Sequence, residues 1–229
     1  MREGIVKHSH DYPEAEFPAL AEYLLGERPP LEAQIIDLVD EIAYNTADLD
    51  DAFEAHILDF DQLRAEVPVF AKAYEDVERR HPEGLRKLKF NEALKHILDR
   101  LVTDLIENTR RQVEASGVET AEDVRRQEKR LVGFSAAAAG EDASLKRFLN
   151  SRVYSHPAIA EERGRSVAAL DALFHFFLDH PESMPKHYAD LAQSEPRHRI
   201  VCDYIAGMTD HFLLRQCHEL LGAPATEQS

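Results

Sequence analysis

The amino-acid sequence predicts an all-α protein, and three of its features support this fold class. Glycine and proline are sparse, at 9 and 11 of 229 residues. The prolines fall between the segments of helical periodicity, as expected because proline disrupts the interior of a helix. Apolar residues recur at three- and four-residue spacing over long stretches, and the alternation typical of half-buried strands is nearly absent.

The longest predicted helix spans Leu31–Phe60 and begins just after Pro30, which suits the first turn of a helix. Two further helices are predicted over Val69–Arg80 and from about Leu85 to Val113, because stop signals follow both. The apolar residues that form the core-facing side of the first helix are Ile35, Leu38, Ile42, Leu49, Phe53 and Ile57.

More helices are predicted in the second half of the chain, after a polar, charged stretch over Glu119–Arg130. The tail over Ala223–Ser229 is small and polar and is predicted to be frayed. Because no internal repeat and no linker interrupts the pattern, we predict one helical domain over residues 1–229. The three helices predicted in this half are Glu141–Tyr154, Ile159–Leu178 and Arg197–Leu221.

The composition excludes several classes of protein. Lys and Arg total 27 against 43 Asp and Glu, which gives a formal charge of −16, so strong nucleic-acid binding is not expected. No apolar run approaches the roughly 18 residues of a membrane span, and no secretory signal follows Met1. The sequence therefore predicts a cytoplasmic protein with no membrane contact. Cys202 and Cys217 fall in a helical pattern and are predicted to be buried, reduced thiols.

An acidic stripe lies opposite the apolar face of the first helix. Asp40, Tyr44 and Asp48 are four residues apart, so they lie on one side of the helix. Such a stripe is ordinarily the solvated side of an amphipathic helix, and spacing alone favours that interpretation. The alternative is a rigid row of oxygen ligands for a cation and a sugar hydroxyl.

A basic and aromatic cluster follows a later predicted helix in this otherwise acidic protein. It is either a solvated surface around a core tyrosine or a phosphate site in which Lys146 and Arg152 hold oxygens and Tyr154 stacks on a base or ribose. From the residues alone, the two interpretations are about equally well supported. The cluster consists of Lys146, Arg147, Arg152, Tyr154 and His156.

Four segments resemble the bacterial deoxyguanosine-triphosphate triphosphohydrolase family of HD-domain enzymes. They are REGIVKH at residues 2–8, LEAQIIDLVDEIAYNTADLDD at 31–51, LKRFLNSRVYSHP at 145–157 and DYIAGMTD at 203–210. The resemblance implies the C-terminal portion of an HD-type phosphohydrolase fold. It divides the chain into the last part of the HD core over residues 1–61, a phosphohydrolase-associated region over 62–222 and the tail over 223–229.

The resemblance implies hydrolysis of a deoxynucleoside triphosphate (dNTP) to deoxynucleoside and triphosphate, with Mg²⁺ or Mn²⁺, by a homo-oligomer. Asp40 matches the last metal ligand of the family. Tyr44 and Asp48 match residues that pack on the deoxyribose and accept its 3′-hydroxyl. The acidic stripe is then the floor of a site.

The same resemblance assigns phosphate and nucleoside contacts. Lys146 matches a basic residue on the triphosphate, and Tyr154 matches an aromatic residue beside the nucleoside. Lys7 matches a further phosphate contact, and Arg152 and His156 belong to the same motif as Tyr154.

The chain departs from the family pattern at the metal shell. The first histidine, the His-Asp doublet and the catalytic histidine of the family precede the segment that matches residues 2–8, so no catalytic residue is expected within this chain. One carboxylate, Asp40, cannot hold a divalent ion tightly. Three hypotheses follow. The chain is part of a dNTP triphosphohydrolase, or it is a catalytically incomplete scaffold for nucleotide binding or oligomerisation. The third is a purely structural helical bundle in which the acidic stripe and the basic cluster are solvated surface.

Overall fold

The protein is described by a computed structural model over residues 1–222. Helices dominate this part of the chain and it contains no β-strand, which confirms the predicted all-α class. The helices form two compact units, Met1–His156 and the residues from Pro157 onward. A single domain over residues 1–229 stays a prediction, and the frayed tail predicted over Ala223–Ser229 lies outside the described residues.

The first unit contains seven α-helices, one 3₁₀ turn and one π-helical turn. A 3₁₀ turn covers Pro18–Tyr23, and a π-helical turn covers Leu149–Val153. The α-helices are α1 Arg2–Lys7, α2 Leu31–Glu54, α3 Phe60–Glu66, α4 Pro68–Arg80, α5 Arg86–Ser116, α6 Ala121–Arg125 and α7 Ala136–Phe148.

The predicted helix over Leu31–Phe60 is wrong at its C-terminal end. α2 ends at Glu54, and His56 adopts a left-handed conformation with φ of 55°. The Asp59 carboxylate then accepts hydrogen bonds from the backbone N–H groups of Asp61 and Gln62 and caps α3. The apolar spacing continues through this break, so periodicity alone hides it.

Aromatic side chains from four helices form the core of the first unit. Phe90 of α5 is fully buried and stacks on Phe53 of α2 at 4.2 Å between ring centroids. Phe70 of α4 lies 5.4 Å from Phe90, and Phe60 of α3 lies 6.4 Å from it. α2 is therefore fixed against α5 by the face opposite its acidic stripe.

An ion pair holds α1 to α6. Both carboxylate oxygens of Glu3 accept hydrogen bonds from Arg125, at 3.1 and 2.8 Å. The Arg125 guanidinium holds the pKa of Glu3 below its usual value. Glu3 therefore stabilises the fold above the pKa of an unfolded glutamate, and this contribution is lost as the pH falls through its lower folded-state pKa.

We expect Glu3→Gln to lower the free energy of unfolding at pH 7 by about 1–3 kcal/mol, because the hydrogen bonds lose their charged acceptor. The stability of the variant should also fall less than that of the wild type as the pH drops below about 4.5, because the pKa of Glu3 is lowered in the folded state. Urea unfolding at several pH values measures both effects. Glu114→Gln, at a 68 % exposed side chain, is the control, and equal losses in the two variants would contradict the prediction.

As far as Gly222, the second unit contains four α-helices and a 3₁₀ turn over Pro181–Ser183. The predicted helix over Arg197–Leu221 is wrong at its centre, because a turn around Gly207 separates two helices and the Thr209 hydroxyl caps the second. Cys217 is buried as predicted, whereas Cys202 is exposed, which corrects that prediction. The helices are α8 Pro157–Asp179, α9 Lys186–Ser194, α10 Arg197–Ala206 and α11 Asp210–Leu221.

The core of the second unit is separate and smaller. Leu173 and Phe177 of α8 are fully buried, and the Phe177 ring lies 5.2 Å edge-on from Tyr204 of α10.

Throughout residues 1–222, every helix is too short or too polar to cross a bilayer.

Candidate functional site

The acidic stripe of α2 lies at the surface of the first unit. Asp40 is exposed, Tyr44 is 60 % exposed and Asp48 is half-buried. Four residues of helix rise about 6 Å, so the three side chains stand on successive turns. Ile36 and Val39 on the same helix are also exposed, at 48 % and 43 %. The exposed side of α2 is thus partly apolar.

A modified helix end brings Tyr154 to this stripe. α7 begins at Ala136, where the Ser135 hydroxyl accepts the Ala138 N–H, five residues before the predicted start at Glu141. The π-helical turn follows α7, and the Tyr154 N–H donates to the Leu149 carbonyl at 2.8 Å. Such turns are rare, and many lie at functional sites.

Tyr154 and Asp48 form a direct hydrogen bond in which the Tyr154 hydroxyl donates to Asp48 Oδ2. Burial, together with the Asp48 carboxylate, raises the pKa of Tyr154 to about 12. The phenol is therefore a protonated donor at neutral pH. Two residues that are 106 positions apart, and that the resemblance assigns to one site, are thereby in contact.

Lys146 lies between two carboxylates near the same helix. Its ammonium pairs with Glu41 of α2 and lies 3.3 Å from Asp142 Oδ2 of α7. Asn45 of α2 donates to the other Asp142 oxygen at 3.0 Å. Burial raises the pKa of Asp142 and lowers that of Lys146. This cluster joins α7 to α2 next to Asp40 and Tyr44.

Arg152 and Lys7 have other partners. Arg152 donates to Glu66 of α3, at 3.3 and 2.7 Å, on an exposed surface. Lys7 is 2 % exposed, and its ammonium donates to Glu3 and to the carbonyls of Leu24 and Arg28. A lysine has three donors, so a phosphate contact by Lys7 would cost one of these bonds. The phosphate roles of both residues stay predictions.

Three polar residues of the cluster were missed by the sequence analysis: Glu41, Asn45 and Asp142. Asp142 stands four residues before Lys146, which is a helical ion-pair spacing that could have identified it. Asn45 is a buried amide on a helix and gave no comparable signal. Its role depends on α7, 97 residues away in the sequence.

The described residues do not by themselves fit a divalent metal. Residues 1–222 contain no group of three or more His, Cys, Asp or Glu side chains placed to hold an ion. Asp40 is the one residue that the resemblance matches to the metal shell, and a single carboxylate leaves most coordination positions unfilled.

Comparisons with known proteins agree with the resemblance. Residues 132–219 match the model of the phosphohydrolase-associated domain. Three proteins named "Deoxyguanosinetriphosphate triphosphohydrolase-like protein" are similar over 95–96 % of the chain: those of Geobacter sulfurreducens at 37 % identity, Caulobacter sp. at 35 % and Bordetella pertussis at 34 %. The chain spans between 56 % and 58 % of their length.

Proposed function

We propose that the chain forms part of a dNTP triphosphohydrolase, because it is similar to deoxyguanosinetriphosphate triphosphohydrolase-like proteins and its residues 132–219 match the phosphohydrolase-associated domain. The proposed reaction of the whole protein converts a dNTP to deoxynucleoside and triphosphate, with Mg²⁺ or Mn²⁺ as cofactor. The chain covers about half of its relatives, so it supplies only part of the proposed site.

The contact between Tyr154 and Asp48 carries the proposal. It connects the acidic stripe of α2 to the end of α7, next to the cluster that holds Lys146. The residues that we propose to bind the sugar and the phosphates thus lie on adjoining parts of one unit. A merely solvated acidic stripe would not need a half-buried tyrosine and a lysine from another part of the chain as partners.

The proposed binding roles follow from the chemistry of each group. A carboxylate accepts at two oxygens, so Asp48 Oδ1 can accept the 3′-hydroxyl of a deoxyribose while Oδ2 holds Tyr154. The exposed ring of Tyr44 offers an apolar surface to the sugar. The ammonium of Lys146 can pair with phosphate oxygens, and such charge-assisted bonds are strong. Because the metal shell is incomplete here, we derive no catalytic step through the metal.

The alternative function is a nucleotide-binding or oligomerisation scaffold without turnover. The incomplete metal shell among residues 1–222 favours it for this chain alone. The triphosphohydrolase and the nucleotide-binding scaffold both predict nucleotide binding at the same residues, so turnover separates them, whereas a pure oligomerisation scaffold predicts no nucleotide binding.

We expect the chain to bind dGTP and expect Lys146→Ala to weaken this binding by about tenfold, the effect of losing about 1.4 kcal/mol of charge-assisted contact. Isothermal titration calorimetry on the whole chain measures the affinities. Lys95→Ala, which removes a 74 % exposed lysine from α5, is the matched control. Equal affinities for the two variants would contradict the proposed phosphate contact.

A further inference from the structure

Lys146 is held by two carboxylates that differ in their freedom to move. Asp142 is only 5 % exposed, and the Asn45 amide fixes its second oxygen at 3.0 Å. Glu41 is 30 % exposed and reaches Lys146 from α2 through a longer side chain. Of the two, Glu41 can rotate toward solvent without leaving a buried polar group unpaired.

The charges around Lys146 oppose anion binding as they stand. Two carboxylates surround one ammonium, so an approaching phosphate meets a cluster in which the cation is already occupied. An anion gains the full attraction of Lys146 only when one carboxylate withdraws. The buried position of Asp142 leaves Glu41 as the group that withdraws.

We propose that Glu41 is an internal competitor for Lys146, which occupies the ammonium in the free protein and gives way to the triphosphate group of a ligand. This inference rests on the proposed function, because it assumes that Lys146 contacts phosphate. A ligand must then displace Glu41 from Lys146, and its contacts with other residues must compensate for the lost ion pair.

The competition lowers the affinity for every anion by one common factor. When the binding-competent state is only a fraction of the population, the apparent dissociation constant rises by the inverse of that fraction. Single phosphates, which have few other contacts, then bind too weakly to fill the site. A dNTP compensates through its further phosphates and through its sugar on Tyr44 and Asp48.

The test measures binding of inorganic triphosphate and pyrophosphate to the whole chain by calorimetry. Glu41→Gln removes the competing charge and is expected to tighten both ligands by the same factor of about threefold to fivefold, the range of a partly exposed ion pair. Glu32→Gln removes one charge from the same helix, nine residues away, and controls for the general charge effect. Thermal melting confirms that each variant is folded.

The double variant Glu41→Gln/Lys146→Ala should bind no more tightly than Lys146→Ala alone, because the competition acts through the ammonium. If Glu41→Gln binds no more tightly than Glu32→Gln while Lys146→Ala still weakens binding, the competitor role is overturned and the proposed function stands. If Lys146→Ala binds triphosphate as well as the wild type does, the competitor role and the proposed phosphate contact are both overturned.

Discussion

Asp40→Ala is expected to reduce triphosphate release by more than about a hundredfold in the assembled protein. The resemblance assigns Asp40 to the last metal ligand, and losing even an outer-shell partner of a metal site costs about 10–100-fold. The protein assayed is a fusion of this chain with the part of the Geobacter sulfurreducens relative that the chain does not match. The assay quantifies triphosphate released from dGTP with Mg²⁺ or Mn²⁺.

Asp51→Ala is the matched control for Asp40→Ala. Asp51 is an exposed aspartate on α2, eleven residues further along, and has no assigned role. Its replacement should leave turnover within about twofold of the wild type, since surface substitutions have small effects. Unchanged turnover in Asp40→Ala would remove the assignment of this residue to the reaction.

Phe90→Ala is expected to lower the free energy of unfolding by about 3–5 kcal/mol, the usual cost of removing a buried phenylalanine. The Phe90 ring is fully buried and contacts aromatic rings from three other helices. Its removal leaves a cavity at the point where α2 packs on α5. Urea unfolding followed by circular dichroism measures the loss.

Leu88→Ala tests whether burial, and not helix α5 as such, determines this effect. Leu88 stands half a turn from Phe90 on the same helix and is 62 % exposed. We expect Leu88→Ala to cost less than about 0.5 kcal/mol. Similar losses for the two variants would show that the aromatic cluster is not the core of the first unit.

Helical periodicity predicted the fold class and several helices closely. The predicted helix over Val69–Arg80 became α4, Pro68–Arg80, because a proline begins the helix and the next proline follows it at Pro82. Periodicity failed at the end of α2, where Ile57 keeps the apolar spacing through the left-handed turn at His56. The helix ends beside a left-handed backbone conformation at His56, which the pattern of apolar residues does not reveal.

The site was partly predictable for a different reason. The resemblance named both Asp48 and Tyr154, but their contact depends on the π-helical turn after α7, which sequence spacing does not specify. It also named Lys7 without indicating that its donors are used within the fold. Glu41 gave no signal, because a glutamate on a polar face is ordinarily solvated. Long-range partners determine what each of these side chains can do.

The measurement that tests the central claim most directly is triphosphate release from the four dNTPs with Mg²⁺ or Mn²⁺. It is run on this chain alone and on the chain joined to the unmatched part of the Geobacter sulfurreducens relative. The proposal predicts equal amounts of deoxynucleoside and intact triphosphate from the joined protein and no turnover by the chain alone. Release of orthophosphate or pyrophosphate instead, or no turnover by either protein, would contradict the proposed function.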